Sequence, residues 1–127
     1  MTGSATNRQA DLLLKKSSED EAALPTLSAD SHFGFHAQQA IEKSLKALIT
    51  QLGDSHEFTH DLLVLVKHLK RLGETLPVLP MNIIELTDYA GVFRYDEPPH
   101  ISDRAVILES VRILREHVAQ RIAALQH

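Results

Sequence analysis

The chain has 127 residues, 43% of them hydrophobic, and we expect one domain over residues 1–127 with a disordered N-terminal segment at 1–6. The absence of cysteine excludes disulfide bonds and thiolate metal sites, and it suits the reducing cytoplasm in which we expect this protein to act. The formal net charge of −4 argues against a broad basic surface for nucleic acid, although it leaves room for a local cationic cleft.

The first two predicted helices are separated by a proline. A helix is predicted from about residue 7 to 24, because apolar residues recur on one side of that segment. Pro25 disfavours the helical conformation for the residue before it, and either Ser28 or Asp30 is expected to cap the next helix. That second helix, from about residue 31 to 52, has the clearest pattern, since its apolar residues recur at spacings of three and four.

The third predicted helix has a strong start signal. Gly53 ends the second helix, because glycine tolerates the left-handed backbone that follows a helix terminus. Thr59 is expected to be the N-cap of a helix that begins at His60. Phe58 and Leu63 have the spacing of a hydrophobic staple across this N-terminus.

Two further helices complete the predicted bundle. Gly73 ends the third helix, and a linker with two prolines leads to a fourth helix from about residue 81 to 93. The fifth helix runs from about residue 103 to 125, with Ser102 as its N-cap. We find no strand pattern and no internal repeat. The sequence therefore predicts an all-α fold, an up-and-down bundle of four to five antiparallel helices.

Assembly and compartment follow from the same pattern. The longer predicted helices exceed what so small a core needs, so we expect some apolar residues to pack against a second copy. A two-fold homodimer is the simplest assembly that would cover them. No apolar run approaches the roughly 20 residues that span a bilayer, so we expect no membrane contact.

Three segments, in order along the chain, carry a resemblance to a known family. They are residues 35–48 (FHAQQAIEKSLKAL), 59–62 (THDL) and 89–95 (YAGVFRY). Together they resemble the HEPN domain, over roughly residues 9 to 125. The resemblance implies a helical bundle that dimerises and is often encoded beside a minimal nucleotidyltransferase. Many members are metal-independent RNases of prokaryotic toxin–antitoxin and defence systems, whereas others are inactive.

The resemblance also implies a catalytic pair, Arg94 and His100, because RNase members carry an Arg and a His near the dimer axis. Histidine can gain or lose a proton near neutral pH, so His100 could act as base or acid. The Arg94 guanidinium could hold a phosphate through two hydrogen bonds. The alternative is structural: Arg94 pairs with Asp96, Glu97 or Glu42 to fix a loop, while His100 lies exposed.

A second group of polar residues is expected to bind substrate or nucleotide. Gln39, Glu42 and Lys43 belong to the second predicted helix, and Tyr95 could stack its ring on a base. The alternative is that Glu42 and Lys46 form an ordinary surface pair one helical turn apart, and that Tyr95 fixes its loop.

The other histidines have simpler explanations. His60 beside Asp61 could place an imidazole next to a carboxylate, but helix capping accounts for more of the surrounding residues. His32 and His36 stand four residues apart and could ligate a metal from one helical face. With no third ligand at a recognisable spacing, we expect no metal site, and no cofactor is implied.

The sequence thus predicts a dimeric HEPN protein that is, or descends from, the endoribonuclease toxin of a two-component module. Its expected partner is a nucleotidyltransferase-type antitoxin, and its expected ligand is RNA. The alternative is a non-catalytic module, in which the same polar cleft binds a nucleotide or a partner protein and Arg94 is an anchor without chemistry.

Overall fold

The computed structural model describes residues 4–91 and 100–127. Four α-helices form here, α1 (Ser4–Ala23), α2 (Asp30–Gln51), α3 (Leu62–Arg71) and α4 (Arg104–Gln126), together with 3-10 helices at Leu24–Thr26 and Ile83–Tyr89. No strand occurs within these two stretches. The predicted all-α fold is therefore confirmed, with α1 beginning three residues earlier than expected.

The central element is α2, which contacts every other helix. Its predicted apolar stripe is buried, and further residues beside the stripe are buried as well, because neighbours cover α2 on more than one side. The buried apolar residues of α2 are Phe33, Ala37, Ala40, Ile41, Leu45, Ala47, Leu48 and Ile49. The stripe thus finds its cover within one copy of the chain.

The directions of the long helices follow from contacts at their ends. Gln51, the last residue of α2, accepts a hydrogen bond from Gln126 at the end of α4 and donates one to Asn7 near the start of α1. Arg104, the first residue of α4, donates to Asp30, the first residue of α2. Consequently α1 runs antiparallel to α2, and α4 runs parallel to it.

The start of α3 differs from the prediction. Asp61, rather than Thr59, is the N-cap, and its side chain accepts a hydrogen bond from the backbone N–H of Leu63 at 3.0 Å. The helix begins two residues late because Thr59 Oγ1 accepts the N–H of Asp61 and keeps this stretch in a turn. The predicted staple is wrong, since Phe58 is fully exposed.

The caps of α2 and α4 also differ. Ala29 is the N-cap residue of α2 and makes no side-chain cap, so neither Ser28 nor Asp30 fills that role. Asp30 lies in the first turn instead, where the positive end of the helix dipole favours a carboxylate. Asp103, rather than Ser102, caps α4, because the helix begins one residue later than predicted.

The predicted fourth α-helix is a 3-10 helix, Ile83–Tyr89, where it is described. Tertiary contacts explain the tighter coil: Tyr89 lies against Gly34 of α2, and Thr87 Oγ1 accepts the N–H of Leu62 at the start of α3. The last two residues of the prediction, 92 and 93, lie outside the described residues.

Glycine ends two helices as predicted. Gly53 follows α2 with a φ of 83°, and Gly73 follows α3 with a φ of 88°. Residues with a Cβ atom rarely adopt this left-handed backbone conformation, so these positions favour glycine. Across the described part of the chain, each helix is too short or too polar to span a lipid bilayer.

Candidate functional site

His100 lies where α4 approaches the N-terminus of α2. Its side chain is 83% exposed, and its Nδ1 atom lies 2.9 Å from Oδ2 of Asp30. This is an ion-pair distance, so the two groups attract each other when the imidazole is protonated. An exposed imidazole beside a carboxylate is an arrangement suited to an acid–base histidine.

Asp30 is held in place by α4 from a second direction. An Nη atom of Arg104 donates to Oδ1 of Asp30 at 2.8 Å, and the backbone N–H of Ile101 donates to Oδ2 at 3.2 Å. These two hydrogen bonds lower the pKa of Asp30 below its ordinary value, the bond from Arg104 contributing most. The carboxylate beside His100 is therefore ionised at neutral pH.

A pocket of ≈ 380 Å³ opens beside His100, between the 3-10 helix Ile83–Tyr89 and the start of α4. Leu86, Ile101 and other apolar side chains form part of its wall. Glu85 and Asp103 also line it, so these walls offer carboxylates to a ligand.

Arg94 and Tyr95, the other predicted residues of this region, lie outside the described residues. The described residues on either side of that segment are both attached to the N-terminal part of α2. Tyr89 packs on Gly34, and His100 pairs with Asp30.

A second polar cluster surrounds Glu42, one of the predicted binding residues. Glu42 is only 4% exposed, and Oε1 accepts hydrogen bonds from Gln38 Nε2 at 3.0 Å and from His60 Nδ1 at 2.8 Å. Lys46 Nζ donates to Oε2 at 3.0 Å. Gln39 approaches Oε1 at 3.4 Å. Glu42 is therefore a buried carboxylate with several hydrogen-bond partners, and not a member of an exposed surface pair.

The protonation of this cluster follows from its contacts. Burial raises the pKa of the Glu42 carboxyl, but hydrogen bonds from Gln38, His60 and Lys46 outweigh it, so the pKa lies below its ordinary value. An ionised carboxylate only accepts hydrogen bonds, so Nδ1 of His60 carries the proton. The His60 side chain is 66% exposed, and Nε2 has no hydrogen-bond partner in the described parts of the chain.

The structure separates one predicted binding residue from this cluster. Lys43 Nζ donates to Oδ2 of Asp20 on α1 at 2.6 Å, on the side of α2 that packs against α1. Asp20 also accepts from His36, which stands beside Lys43 on α2. Gln39 and Glu42 are brought together, whereas Lys43 joins α2 to α1.

The two histidines near the start of α2 have other surroundings than a metal site. His36 is occupied by Asp20, and His32 is exposed on the first turn of the helix. Residues 4–91 and 100–127 bring together no group of three His, Asp or Glu side chains that could hold a metal ion.

Two residues of the candidate site escape a prediction from sequence. Asp30, the partner of His100, is 70 positions away along the chain, so no local spacing pairs them. Helix capping is the wrong explanation for His60, because Asp61 is the cap and His60 faces Glu42. The sequence analysis expected Glu42 in a polar cleft or in a surface pair, and the structure places it in a buried polar cluster with Gln38.

Together these features define an all-helical protein in which two carboxylates of the central helix α2, Asp30 and Glu42, each contact an exposed histidine. The HEPN domain family model matches residues 29–121, which covers α2, α3 and most of α4. The chain therefore belongs to the HEPN domain family. It matched no curated protein and no solved structure at the significance we required.

Proposed function

We propose that this HEPN protein is a metal-independent endoribonuclease of the toxin type, or derived from one, acting in the cytoplasm as a homodimer. The observation that supports the proposal most is the exposed imidazole of His100 beside the ionised carboxylate of Asp30. Such a pair presents a ring nitrogen that can accept or deliver a proton. Asp30 is the positioning residue, and His100 is the proposed catalytic residue.

The proposed reaction needs no metal. A base removes the proton of a ribose 2′-hydroxyl, and this oxygen forms a bond to the adjacent phosphorus. The bond from phosphorus to the 5′-oxygen breaks, and an acid returns a proton to that oxygen. The products are a 2′,3′-cyclic phosphate and a 5′-hydroxyl. His100 acts as base or acid in this proposal.

Charge stabilisation is assigned to Arg94. The phosphate gains negative charge as the new bond forms, and a guanidinium can bind two of its oxygens at once. Arg104 is already engaged by Asp30 and by backbone carbonyls of residues 27 and 28, so it is unsuited to this role. The family resemblance favours Arg94, contributed with His100 by each copy of a homodimer.

Expression of the protein, and of variants, tests the proposal. Expression of the wild type should slow growth, and the purified protein should degrade RNA in the presence of a metal chelator. His100→Ala and Arg94→Ala should each abolish the RNA degradation. His127→Ala is a matched control, because His127 is an exposed histidine at the far end of α4. Unchanged RNA degradation by His100→Ala would refute the proposed catalytic role.

The acidic pocket supports a second candidate function, a non-catalytic module that binds a partner protein. Glu85 and Asp103 line the pocket beside His100, and carboxylates repel a nucleotide phosphate but attract a Lys or Arg side chain of a partner. The partner implied by the family is a nucleotidyltransferase-type antitoxin. This candidate predicts no RNA loss from the wild type and weaker binding of the neighbouring gene's product by Glu85→Lys, measured by calorimetry.

A further inference from the structure

We propose that His60 contacts the RNA directly and that its Nε2 atom forms a binding subsite separate from His100. The inference depends on the proposed function for the choice of RNA as ligand. It adds a residue that the HEPN resemblance does not assign. The supporting observation is a buried polar network whose most exposed member is the imidazole of His60.

Burial of this polar network costs free energy that apolar side chains would not, which suggests that the network has a role beyond stability. Gln38 is fully buried and Glu42 nearly so, and removing an ionised carboxylate from water costs several kcal/mol before its partners compensate. Apolar side chains at both positions would fill the same space without that cost. Glu42 fixes the ring of His60 through Nδ1, and Gln38 donates to the His60 carbonyl at 2.9 Å. Both buried residues therefore hold one exposed imidazole in a fixed orientation.

The chemistry of Nε2 indicates the class of ligand. In the neutral ring Nε2 accepts a hydrogen bond, as from a ribose 2′-hydroxyl, and in the protonated ring it donates one, as to a phosphate oxygen. RNA offers both groups at every nucleotide. Lys46 balances the charge of Glu42, so the buried carboxylate does not leave a net negative charge behind the ring.

The distance along α2 separates this subsite from His100. The two carboxylates that hold the imidazoles, Asp30 and Glu42, lie in one continuous α-helix. Their separation is about 18 Å along the axis, from the rise per residue of an α-helix. His60 and His100 of one chain therefore do not act on the same phosphate. We assign His60 to substrate binding, at a different nucleotide from the one that is cleaved.

Two substitutions separate ligand contact from structural support. In His60→Asn, the amide nitrogen can replace Nδ1 and keep the hydrogen bond to Glu42, but nothing replaces Nε2. In His60→Gln, the amide nitrogen lies near the position of Nε2 instead. Binding of a labelled single-stranded RNA is measured with His100→Ala present in every protein, so that no cleavage occurs. We expect His60→Asn to weaken binding by roughly tenfold, the loss of one charge-assisted hydrogen bond, with an unchanged unfolding midpoint. His60→Gln should recover part of the affinity.

His56→Asn is the matched control, because His56 belongs to the same loop. Within residues 4–91 and 100–127 its side chain makes one hydrogen-bond contact, at 3.5 Å to the backbone carbonyl of Glu57. It should bind RNA like its parent. Equal RNA affinity of His60→Asn and its parent would overturn the inference and leave the proposed function intact. Conversely, absence of cleavage by the wild type, with RNA binding that still depends on His60, would overturn only the proposed function.

Discussion

The ring of Tyr89 lies so close to Gly34 that a Cβ atom at position 34 would be 2.2 Å from Cδ1 of the ring. Glycine inside a helix costs about 1 kcal/mol relative to alanine, and this contact explains its presence in α2. The contact joins the 3-10 helix Ile83–Tyr89 to the central helix.

Replacement of Gly34 by alanine should therefore destabilise the protein in spite of alanine's higher helix propensity. Three ring atoms of Tyr89 would lie within 2.7 Å of the new methyl group, and Tyr89 is buried, so its ring has little room to move. We expect a loss of about 1–3 kcal/mol in the free energy of unfolding, as for other overpacked cores. Denaturant unfolding measures it.

The control for this substitution is Ser31→Ala, at an exposed position on the same helix. It should change stability little. In a Tyr89→Ala background, Gly34→Ala should cost much less, because the ring is absent. A gain in stability from Gly34→Ala alone would contradict the observed packing.

Removal of the Glu42 carboxylate should be the most destabilising change among the charged residues of α2. In Glu42→Ala, Lys46 and Gln38 lose their shared acceptor at buried or nearly buried positions. We expect a loss of about 3–5 kcal/mol, the usual result of breaking a buried ion pair from one side. Glu109→Ala removes an exposed partner of Arg112 and should have little effect on thermal or denaturant unfolding. Similar losses of unfolding free energy in both variants would show that burial of Glu42 does not determine its contribution to stability.

Arg104 should not tolerate replacement by lysine. Its guanidinium donates to the carbonyls of Leu27 and Ser28 and to Asp30, and it lies 4.4 Å above the ring of Phe33. A lysine ammonium lacks the planar geometry for these simultaneous contacts. We expect Arg104→Lys to lower the free energy of unfolding by about 1–3 kcal/mol.

Arg112→Lys is the corresponding control on α4, because Arg112 is exposed and contacts only nearby glutamates of its own helix among the described residues. It should unfold at the same denaturant concentration as the wild type. If Arg104→Lys were as stable as the wild type, the junction between α2 and α4 would not depend on the guanidinium.

Stability should depend on pH through His68, which is buried on α3. Its Nε2 lies 2.7 Å from Asp54 and its Nδ1 3.0 Å from Glu57. The hydrogen bond to Asp54 raises the pKa of His68, burial opposes the rise, and Glu57 adds to it. The stabilisation is complete below the ordinary histidine pKa of 6.5 and is lost as pH rises through the higher pKa of the folded state.

Asp54 and Glu57 determine how the stability of the same cluster changes at acidic pH. Hydrogen bonds lower the pKa of Asp54, mainly through His68, and that of Glu57, mainly through its own backbone N–H and then His68. Their contribution is present above the ordinary values of 3.8 and 4.5 and is lost as pH falls through the lower folded values. Unfolding free energies of His68→Gln should lack the decline as pH rises above 6.5, whereas exposed His32→Gln should retain it. A parallel decline in both variants would exclude His68 as its source.

The sequence predicted the long helices well, because their apolar periodicity reports directly on burial. The residues of α2 and α4 that were expected to face the core do so, and Gly53 and Gly73 end their helices as expected. Local rules failed where a tertiary contact competed with them. Tyr89 against Gly34 and Thr87 against Leu62 accompany a 3-10 helix in place of the predicted α-helix.

The candidate site could be predicted only in its residue types. The HEPN resemblance predicted Arg94 and His100, and Glu42 was predicted as a polar residue of the second helix. The carboxylates that contact the histidines lie far from them along the chain: Asp30 from His100, and Glu42 from His60. Such pairs depend on how helices pack, which residue spacing does not encode. Arg94 and Tyr95 remain predictions, since both lie outside the described residues.

Asp30 keeps two partners besides His100, a guanidinium from α4 and the amide of Ile101. If the imidazole of His100 moved away from Asp30, the carboxylate would still accept hydrogen bonds from Arg104 and from the backbone N–H of Ile101. Loss of the contact with His100 would therefore leave the junction between α4 and α2 intact. Asp30 thus joins α2 to α4 through contacts that do not depend on the His100 side chain.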